Sequence, residues 1–166
     1  DPLGRPWHMV PSPKHDALAV INNREELLLV RYPASGSQSK LAKCSLKYID
    51  KALYEDGLDD LTFSPCGNYL GYCYKNTLMS SIIRVANVKT GKVHNVTAPS
   101  YYMDSSPAFD PSGRYLFFLS NRRYCPVEDD VWDGHITFPS SDTVMFATLQ
   151  NNTPSPFLRK PERPAA

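Results

Sequence analysis

The chain has 166 residues, of which 42% are hydrophobic, 21% charged and 11% aromatic, a composition that excludes a disordered or fibrous protein. Eighteen Lys and Arg residues against seventeen Asp and Glu residues give a net charge of +1, so the composition provides no broad attraction to nucleic acid or to an anionic membrane. No apolar stretch approaches the roughly 18 residues of a membrane span, and the N-terminal residues lack the pattern of a signal peptide. We therefore expect a soluble chain that is not secreted.

The four cysteines, Cys44, Cys66, Cys73 and Cys125, stand singly in the sequence, and the chain contains no C-x-x-C pair. Zinc sites use closely spaced cysteines, whereas single cysteines are usual in proteins of a reducing compartment. We therefore expect free thiols, no bound metal and no cofactor.

One turn-and-strand pattern occurs three times, as MVPSPKHDALAVI from residue 9, LTFSPCGNYLGYC from residue 61 and PAFDPSGRYLFFL from residue 107. Each copy has an apolar pair, then Ser or Asp, then Pro, and an apolar run a few residues later. The anchor prolines Pro13, Pro65 and Pro111 lie 52 and 46 residues apart. A period of this length is typical of the blades of a β-propeller.

Each copy of the pattern predicts a tight turn. In Ser64-Pro65-Cys66-Gly67 the serine oxygen can accept a backbone N–H, the proline presets φ and the glycine tolerates a positive φ, which predicts a type I turn between two strands. His15 takes the place of that glycine in the first copy, so we expect some strain there. The predicted structural turn residues are Ser12, Pro13, Ser64, Pro65, Gly67, Asp110, Pro111 and Gly113.

Short apolar runs around these turns predict strands. The runs lie at 17–21, 26–31, 69–74, 81–87, 115–119 and 143–149, with a weaker one at 92–97. Residues 45–54 are the only candidate helix, and an ordered loop is the alternative interpretation of that segment.

Four short strands per repeat predict an all-β fold, a β-propeller fragment of about three four-stranded antiparallel blades of the WD40-like kind. The partial propeller covers residues 5–157, with blades at about 5–45, 56–98 and 101–157, and residues 158–166 are interpreted as a linker or tail. A β-sandwich is the alternative, but it does not explain the near-constant spacing of the turns. Because closed propellers use four to eight blades, we expect further blades or a partner chain to cover the two open flanks.

The third copy and its surroundings carry a resemblance to a known family. Residues 104–122, which include SPAFDPSGRYLFFLSNR, are followed by YCPVEDDVWDGHITFP and NNTPSPF, and together they resemble the closing blade of the second, seven-bladed propeller of tricorn protease and its homologues. The segments DGLDDLTFSPCGNYLGYCY and SSIIRVANVKTGKVHNVT are similar to the preceding blade, and AVINNREELLLV resembles the one before that. The resemblance covers residues 9–157.

This resemblance implies that the parent protein is a large cytoplasmic serine peptidase that cuts oligopeptides and assembles as a homo-oligomer. In that family the catalytic residues lie in domains C-terminal to this region, so the segment itself is expected to be non-catalytic. Its implied partners are the remaining blades and the peptidase domains, and peptides in passage, with neither nucleic acid nor membrane among them.

An insertion between the second and third strands of the last blade supplies candidate residues at the rim of the propeller. These candidates are Arg122, Arg123, Glu128, Asp129, Asp130 and His135. Because the acidic members lack the spacing of a calcium-binding loop, a solvated loop is a simpler interpretation than a cation site, and charge selection of peptides is a further hypothesis. We expect the two arginines to lie on the surface or to pair with Glu128 or Asp130.

A Ser-His-Asp combination can be written from Ser105 or Ser106, His94 and Asp104. A serine directly before the predicted strand and turn lacks the strand-to-helix elbow that exposes a nucleophile, so Asp104 is better explained as a structural acceptor between one blade and the next strand. Two functions remain open. One is a non-catalytic segment that frames substrate access in a serine peptidase, and the other is a scaffold for protein–protein interaction in a complex without proteolysis.

Overall fold

The computed structural model describes residues 2–32, 44–122 and 142–158. In these ranges the chain forms eleven β-strands and no helix. The strands make three sheets, and within each sheet every neighbouring pair is antiparallel and consecutive in sequence. The predicted all-β architecture of successive antiparallel blades is confirmed.

The first and second sheets have four strands each, and the described part of the third has three. The strands are β1 (Pro6–Pro11), β2 (Ala17–Asn22), β3 (Glu26–Arg31) and β4 (Ser45–Lys51) in the first sheet, β5 (Leu58–Phe63), β6 (Tyr69–Thr77), β7 (Ser80–Asn87) and β8 (Val93–Asn95) in the second, and β9 (Asp104–Phe109), β10 (Tyr115–Ser120) and β11 (Thr143–Thr148) in the third.

The helix candidate at residues 45–54 is wrong, because Ser45–Lys51 forms β4. Leu46 and Ile49 are three residues apart, which matches one face of a helix, but the backbone pairs with β3 and only Ile49 of the strand is buried. The neighbouring strand decides the conformation here, and the sequence of β4 alone does not show it. The first sheet consequently ends at Lys51, a few residues beyond the expected limit of the first blade.

The two ends of the sheets differ in what they carry. The three repeated turns, at residues 12–16, 64–68 and 110–114, all lie at one end, which we call the signature end. The opposite end, which we call the linker end, carries the segments 52–57 and 96–103 that connect successive sheets. It also carries the turns between the second and third strands of the first two sheets. This division follows from the antiparallel order of each sheet.

The repeated turns close three equivalent hairpins. The amide of Ser64 donates to the carbonyl of Tyr69 at 2.9 Å, and the corresponding bonds at Ser12 and Asp110 measure 2.9 and 3.0 Å. In the second and third copies the glycine amide also donates to the first residue of the turn at 2.8 Å, and Gly67 and Gly113 have φ values of +71° and +69°. These positive φ values are accessible to glycine without a Cβ clash.

The first copy forms its turn without left-handed backbone. His15 is absent from the residues of positive φ, so the strain expected there is not found. Its amide donates instead to the Ser12 hydroxyl oxygen at 3.3 Å, and its carbonyl accepts from the Ala17 amide at 2.7 Å. A different local hydrogen-bond pattern therefore replaces the one that requires glycine.

Two apolar cores lie between the sheets. The larger one joins the first and second sheets and contains fifteen buried residues, among them Ile21, Leu29 and Leu58. The smaller one joins the second and third sheets, where Ile83, Leu116 and other apolar side chains meet. Both faces of the second sheet are therefore covered, as in the stacked blades of a propeller.

The first strand of each sheet lies on the inside of the stack. Contacts join β1 to β5 and β5 to β9 across the sheet boundaries, so these three strands run next to one another. We call them the inner strands. His8 Nδ1 on β1 lies 3.2 Å from Asp59 Oδ1 on β5, and Asp60 Oδ2 accepts the Ser106 amide of β9 at 2.8 Å. Polar contacts therefore link all three inner strands.

Candidate functional site on the inner strands and at the linker end

Every inner strand carries a register irregularity. The irregularities lie between Pro6 and His8 in β1, between Asp59 and Thr62 in β5, and opposite residues 117–119 in β9. Bulges of this kind redirect side chains and are over-represented at functional surfaces. Their repetition indicates that the inner surface of the stack is shaped by the backbone.

Two of the bulges contain a non-glycine residue in the left-handed region. Asp60 has φ +54° and Ser106 has φ +51°. Such conformations cost on the order of 1 kcal/mol each and persist where surrounding bonds fix them. The bond from the Ser106 amide to the Asp60 carboxylate joins the two strained residues to each other. The strain therefore lies where the inner strands meet.

The inner strands present ionisable side chains to solvent. The side chains of His8 and Asp59, which contact each other, are 32% and 55% exposed. Asp59 also accepts the Asp60 amide at 2.8 Å. This surface is polar and acidic, and it suits contact with a hydrated or cationic molecule more than burial in a protein core.

At the linker end, Arg122 binds a buried carboxylate. Both oxygens of Asp104, which is fully buried, accept from the Arg122 Nη2 at 2.9 and 2.7 Å. The Arg122 Nε donates to the Ser120 hydroxyl at 2.9 Å, and the guanidinium lies 5.7 Å from the ring centre of Tyr102. Arg122 is therefore held at the point where the inserted segment leaves β10.

Asp104 also connects the third sheet to the second through its backbone. Its carbonyl accepts from the Ser81 hydroxyl at 2.8 Å and from the Cys73 thiol at 3.3 Å. Burial raises the pKa of the Cys73 thiol to about 11, so the thiol keeps its proton at neutral pH and remains a donor. One residue thus holds an ion pair within its sheet and two hydrogen bonds between sheets.

An asparagine next to Arg122 closes the start of the inner strand. Asn121 donates its amide to the Met103 carbonyl at 3.3 Å, and its side-chain oxygen accepts the Met103 amide at 2.8 Å. The first sheet repeats the arrangement, because Asn23 makes the same two bonds to Arg5, both at 2.9 Å. The repeat therefore extends from the turns to the capping of the inner strands.

In the second sheet, different groups make the hydrogen bonds at the start of the inner strand. Lys75 donates its amide to the Gly57 carbonyl at 2.8 Å, but a lysine side chain has no acceptor. The Gly57 amide donates instead to the carboxylate of Glu25, at 3.0 Å, from the turn of the first sheet. A residue of one sheet therefore completes the hydrogen bonding of the next.

The predicted site residues lie at opposite ends of the sheets. Arg122 is at the linker end, whereas the turn residues of the three repeats are at the signature end; β10 alone separates them by about 20 Å at the usual rise per residue. Ser12 and Gly67 are neighbours, since a Cβ on Gly67 would lie 3.0 Å from the Ser12 oxygen. The other rim candidates, Arg123, Glu128, Asp129, Asp130 and His135, lie outside the described residues.

The structure separates the members of the written Ser-His-Asp combination. His94 is on the outermost strand of the second sheet, whereas Ser105 and Ser106 are on an inner strand of the third. His94 pairs with Val85, four residues along β7 from Ser81, whose hydroxyl is bonded to Asp104, and four strand residues span about 13 Å. Arg122 is bound to Asp104, and the expected partners Glu128 and Asp130 lie outside the described residues.

The inner-strand residues His8, Asp59 and Asp60 were not singled out by sequence reasoning. The sequence around these residues predicts strands, but a bulge has no characteristic turn residue by which it could be predicted. The contacts also join strands that are about 50 residues apart in the sequence. Among the described residues, no group of three or more His, Cys, Asp or Glu side chains could hold a metal ion. In those same ranges, no helix has the length and apolarity to cross a membrane.

The meander sheets, the side-by-side inner strands and the repeated turns define the class of this protein as a β-propeller. The profile of the tricorn protease second β-propeller domain matches residues 2–166. The chain belongs to this family, as its motifs predicted.

Two relatives support this assignment. The chain is 33% identical over 157 residues to a putative tricorn-like protease C-terminal subunit of Sulfurisphaera tokodaii, a match that covers 93% of this chain and 16% of that protein. It is 31% identical over 157 residues to tricorn protease homolog 1 of Streptomyces coelicolor, with 93% and 13% covered. The chain therefore spans about one sixth or less of the length of these relatives.

Solved structures agree on the fold. The crystal structure of the tricorn protease superposes with a TM-score of 0.71 at 22% identity, covering 93% of this chain and 14% of that one. A putative TolB from Agrobacterium tumefaciens superposes with a TM-score of 0.51 at 17% identity, covering 89% of this chain and 48% of that one. At these identities the similarity shows the propeller fold alone.

Proposed function

We propose that this chain is a non-catalytic propeller segment of a tricorn-like serine peptidase, where it frames the path of peptide substrates and supports the peptidase assembly. The observation that carries the proposal is the polar inner surface, on which His8, Asp59 and Asp60 lie on side-by-side strands. A propeller that lets peptides pass needs an inner surface that stays hydrated, and charged side chains provide it. By analogy with the family, the catalytic serine of the parent lies outside this segment.

The outer face of the first sheet, opposite the first core, supports further blades of the same propeller as partners. Met9, Val20, Leu28 and Tyr48 stand in register across the four strands on this face. Val20 and Leu28 in the middle of the row are buried, whereas Met9 and Tyr48 at its ends are 54% and 56% exposed. An apolar sheet face of this kind is normally covered in a native protein.

The free face of the third sheet is apolar as well. Phe117 and Phe146 have ring centres 6.0 Å apart, and Phe157 packs against Phe146 at 5.4 Å while remaining 74% exposed. Blades that follow and precede this segment in a ring would cover both faces. We place the parent in the cytoplasm as a homo-oligomer, by analogy with the family.

The test uses the full-length parent protein and a change in the charge of the inner surface. Asp59→Arg replaces an exposed inner-strand carboxylate with a cation, and we expect kcat/KM for cationic oligopeptides to fall by about fivefold through repulsion along the path. Asp16→Arg, at the exposed signature end, is the matched control and should stay within about twofold. Equal effects of the two variants would contradict a path along the inner strands.

The rim candidates add a second arm to this proposal. Arg122, Arg123, Glu128, Asp129, Asp130 and His135 would meet peptides at the linker end of the path. Reversing the charge of Asp129 and Asp130 should lower cleavage of basic peptides relative to acidic ones. Unchanged selectivity would contradict charge sorting by this segment. The Asp59→Arg variant would still test whether peptides pass along the inner strands.

The second candidate function is a scaffold for protein–protein interaction in a complex without proteolysis. It is favoured by the exposed apolar residues of the linker end, among them Leu78 and Met79. A parent chain that hydrolyses no oligopeptide under any assayed condition, while still forming a stable complex, would favour this function over the first.

A further inference from the structure

Four of the five most exposed large apolar side chains among the described residues gather at the linker end. Tyr101 is 94% exposed, Leu53 83%, Met79 76% and Leu78 71%. They lie on the two segments that connect the sheets and on the tip of the β6–β7 hairpin. Apolar exposure of this extent on neighbouring segments usually marks an interaction surface.

Hydrogen bonds make these segments one continuous surface. The Ser81 amide, two residues after the tip of the β6–β7 hairpin, donates to the Tyr102 carbonyl at 3.3 Å, and Ser81 forms a bridge with Met103. On the other side of the hairpin, Lys75 Nζ donates to the Glu55 carbonyl at 3.3 Å. The hairpin tip therefore lies between the two connecting segments. We call Leu53, Leu78, Met79 and Tyr101 the rim patch.

The signature end is built differently. Its large apolar residues Tyr32, Tyr69 and Leu149 are all less than half exposed. Phe157, which is highly exposed, packs its ring against Phe146 of the free sheet face, and Leu158 adjoins the part of the chain that is not described. The contrast indicates that the rim patch is a property of one end of the propeller.

Additional blades would not cover the rim patch. Blades stack face to face, so a neighbouring blade covers the flanks, whereas the rim patch lies at the ends of the strands. We therefore expect another part of the protein to lie over it. The chain spans only 16% and 13% of the two relatives described above, so most of such a polypeptide lies outside this segment in sequence and is available to cover the patch.

We propose that the rim patch is the docking surface for the non-propeller part of the same polypeptide, an inference that rests on the proposed function. Tyr and Met are enriched at protein interfaces because they combine large contact area with adaptable packing. Leu78 and Met79 at a hairpin tip can enter an apolar groove, with Tyr101 beside them at the edge. The docked domain then holds the linker end, where Arg122 marks the root of the inserted segment.

Hydroxyl-radical footprinting of the native full-length parent, referenced to the same protein unfolded in urea, tests whether the patch is covered. We expect Met79 and Tyr101 to react about fivefold more slowly than their exposure here predicts, because a docked domain excludes water. Tyr32 and Tyr69 at the signature end are matched controls that should react as partly exposed residues. Full reactivity of Met79 and Tyr101 would overturn the proposal.

A photo-crosslinking residue in place of Met79 identifies what covers the patch. The expected product is an intramolecular crosslink to a peptide outside the propeller sequence. A crosslink to a second copy of the chain, or to residues 123–141, would overturn the proposed occupant. The same crosslinker in place of Tyr69 is the control and should give no product with that peptide.

These experiments distinguish a failure of the docking surface from a failure of the proposed peptidase function. A parent chain with a protected patch and the expected crosslink, but without peptide hydrolysis, would contradict the peptidase role and keep the docking surface. A parent chain that cleaves peptides with an unprotected patch would reject the docking surface and keep the peptidase role.

Discussion

Between the first and second sheets, fifteen buried apolar residues form the contact, whereas between the second and the described part of the third only Ile83, Leu116 and Phe118 are buried in the shared core. Hydrogen bonds cross both junctions, but at the second, where few apolar residues are buried, those from Ser81 and Cys73 to the Asp104 carbonyl form a larger share of the contact. Apolar burial is non-directional and spread over many residues, while hydrogen bonds depend on both partners being in place. The two junctions should therefore respond differently to single substitutions.

The largest expected effect is in the apolar junction. Leu29 is fully buried in the first core, and Leu29→Ala should lower the free energy of unfolding of the propeller by about 3 kcal/mol through lost burial and a cavity. Leu46→Ala, on the neighbouring strand and 39% exposed, is the control and should cost less than about 1 kcal/mol. Urea unfolding measures both values. Similar losses would show that the first junction does not depend on its core.

The next effect is within the third sheet, beside the second junction, where Asp104 forms its ion pair. Asp104→Ala removes the partner of Arg122, which is 32% exposed and keeps some hydration, so we expect a loss of about 2 kcal/mol in the free energy of unfolding. Asp16→Ala, at an exposed turn, is the control and should change stability by less than about 0.5 kcal/mol. An unchanged melting temperature in Asp104→Ala would contradict the structural role of the ion pair.

Alkylation of Cys73 provides a second measurement on the same variant. In the unchanged protein the thiol is protonated and bonded to Asp104, so it should react far more slowly than the exposed Cys66. The Ser64 hydroxyl helps to lower the pKa of the Cys66 thiol, which widens the difference. Asp104→Ala keeps the backbone carbonyl that accepts the thiol but removes the carboxylate charge that helps to raise the pKa of Cys73, so it should raise the rate at Cys73 and leave the rate at Cys66 unchanged. A rise at both sites would indicate general unfolding.

A smaller effect tests the polar contact within the first junction. The Tyr72 hydroxyl donates to Asp50 at 2.6 Å across the two sheets, and burial raises the pKa of Tyr72. Tyr72→Phe removes the donor, but Arg84 still donates to Asp50 at 2.9 Å, so the expected loss is about 1 kcal/mol in urea unfolding. Tyr69→Phe, on the same strand and partly exposed, should have no measurable effect. A loss as large as that of Leu29→Ala would contradict the view that the first junction depends mainly on its apolar core.

The smallest effect is a pH dependence at the linker end of the first sheet. Hydrogen bonds from the Asn22 amide and from Arg24 lower the pKa of Glu26 from its ordinary value of 4.5. A lowered pKa in the folded state stabilises the fold above the unfolded pKa, and this contribution is lost as the pH falls through the folded value. Glu26→Gln should therefore flatten the loss of stability below about pH 4.5, while Glu55→Gln, at an exposed site, should not. Parallel pH profiles would contradict this role of Glu26.

The repeated pattern made the fold predictable, and the segment that was predicted wrongly lies outside that pattern. The turns depend on Ser or Asp, Pro and Gly within four residues, so the turns at residues 64–67 and 110–113 could be predicted from the sequence alone. Residues 45–54 were misread because an outer strand with one buried side chain is stabilised by its neighbour.

The candidate site was less predictable, for a physical reason. The pairing of Asp104 with Arg122, and of Asp60 with Ser106, depends on the register between strands and on bulges that leave no mark in composition. The position of Asp104 just before the third repeated turn-and-strand pattern predicted an acceptor, but its partner became visible only in the folded structure. The exposed rim patch also required the fold, since its members are spread over residues 53–101.

The backbone amide of Gly57 limits whether one sheet of this propeller could be exchanged for another. Its amide is completed by Glu25 of the preceding sheet, and a Cβ in its place would lie 2.4 Å from the Ala52 Cβ and 2.5 Å from the Tyr54 carbonyl oxygen. Deleting or transplanting the first sheet would leave that buried donor without an acceptor in a site where no larger residue fits. Although the sheets share a repeated pattern, the first and second are therefore not interchangeable at this peptide group.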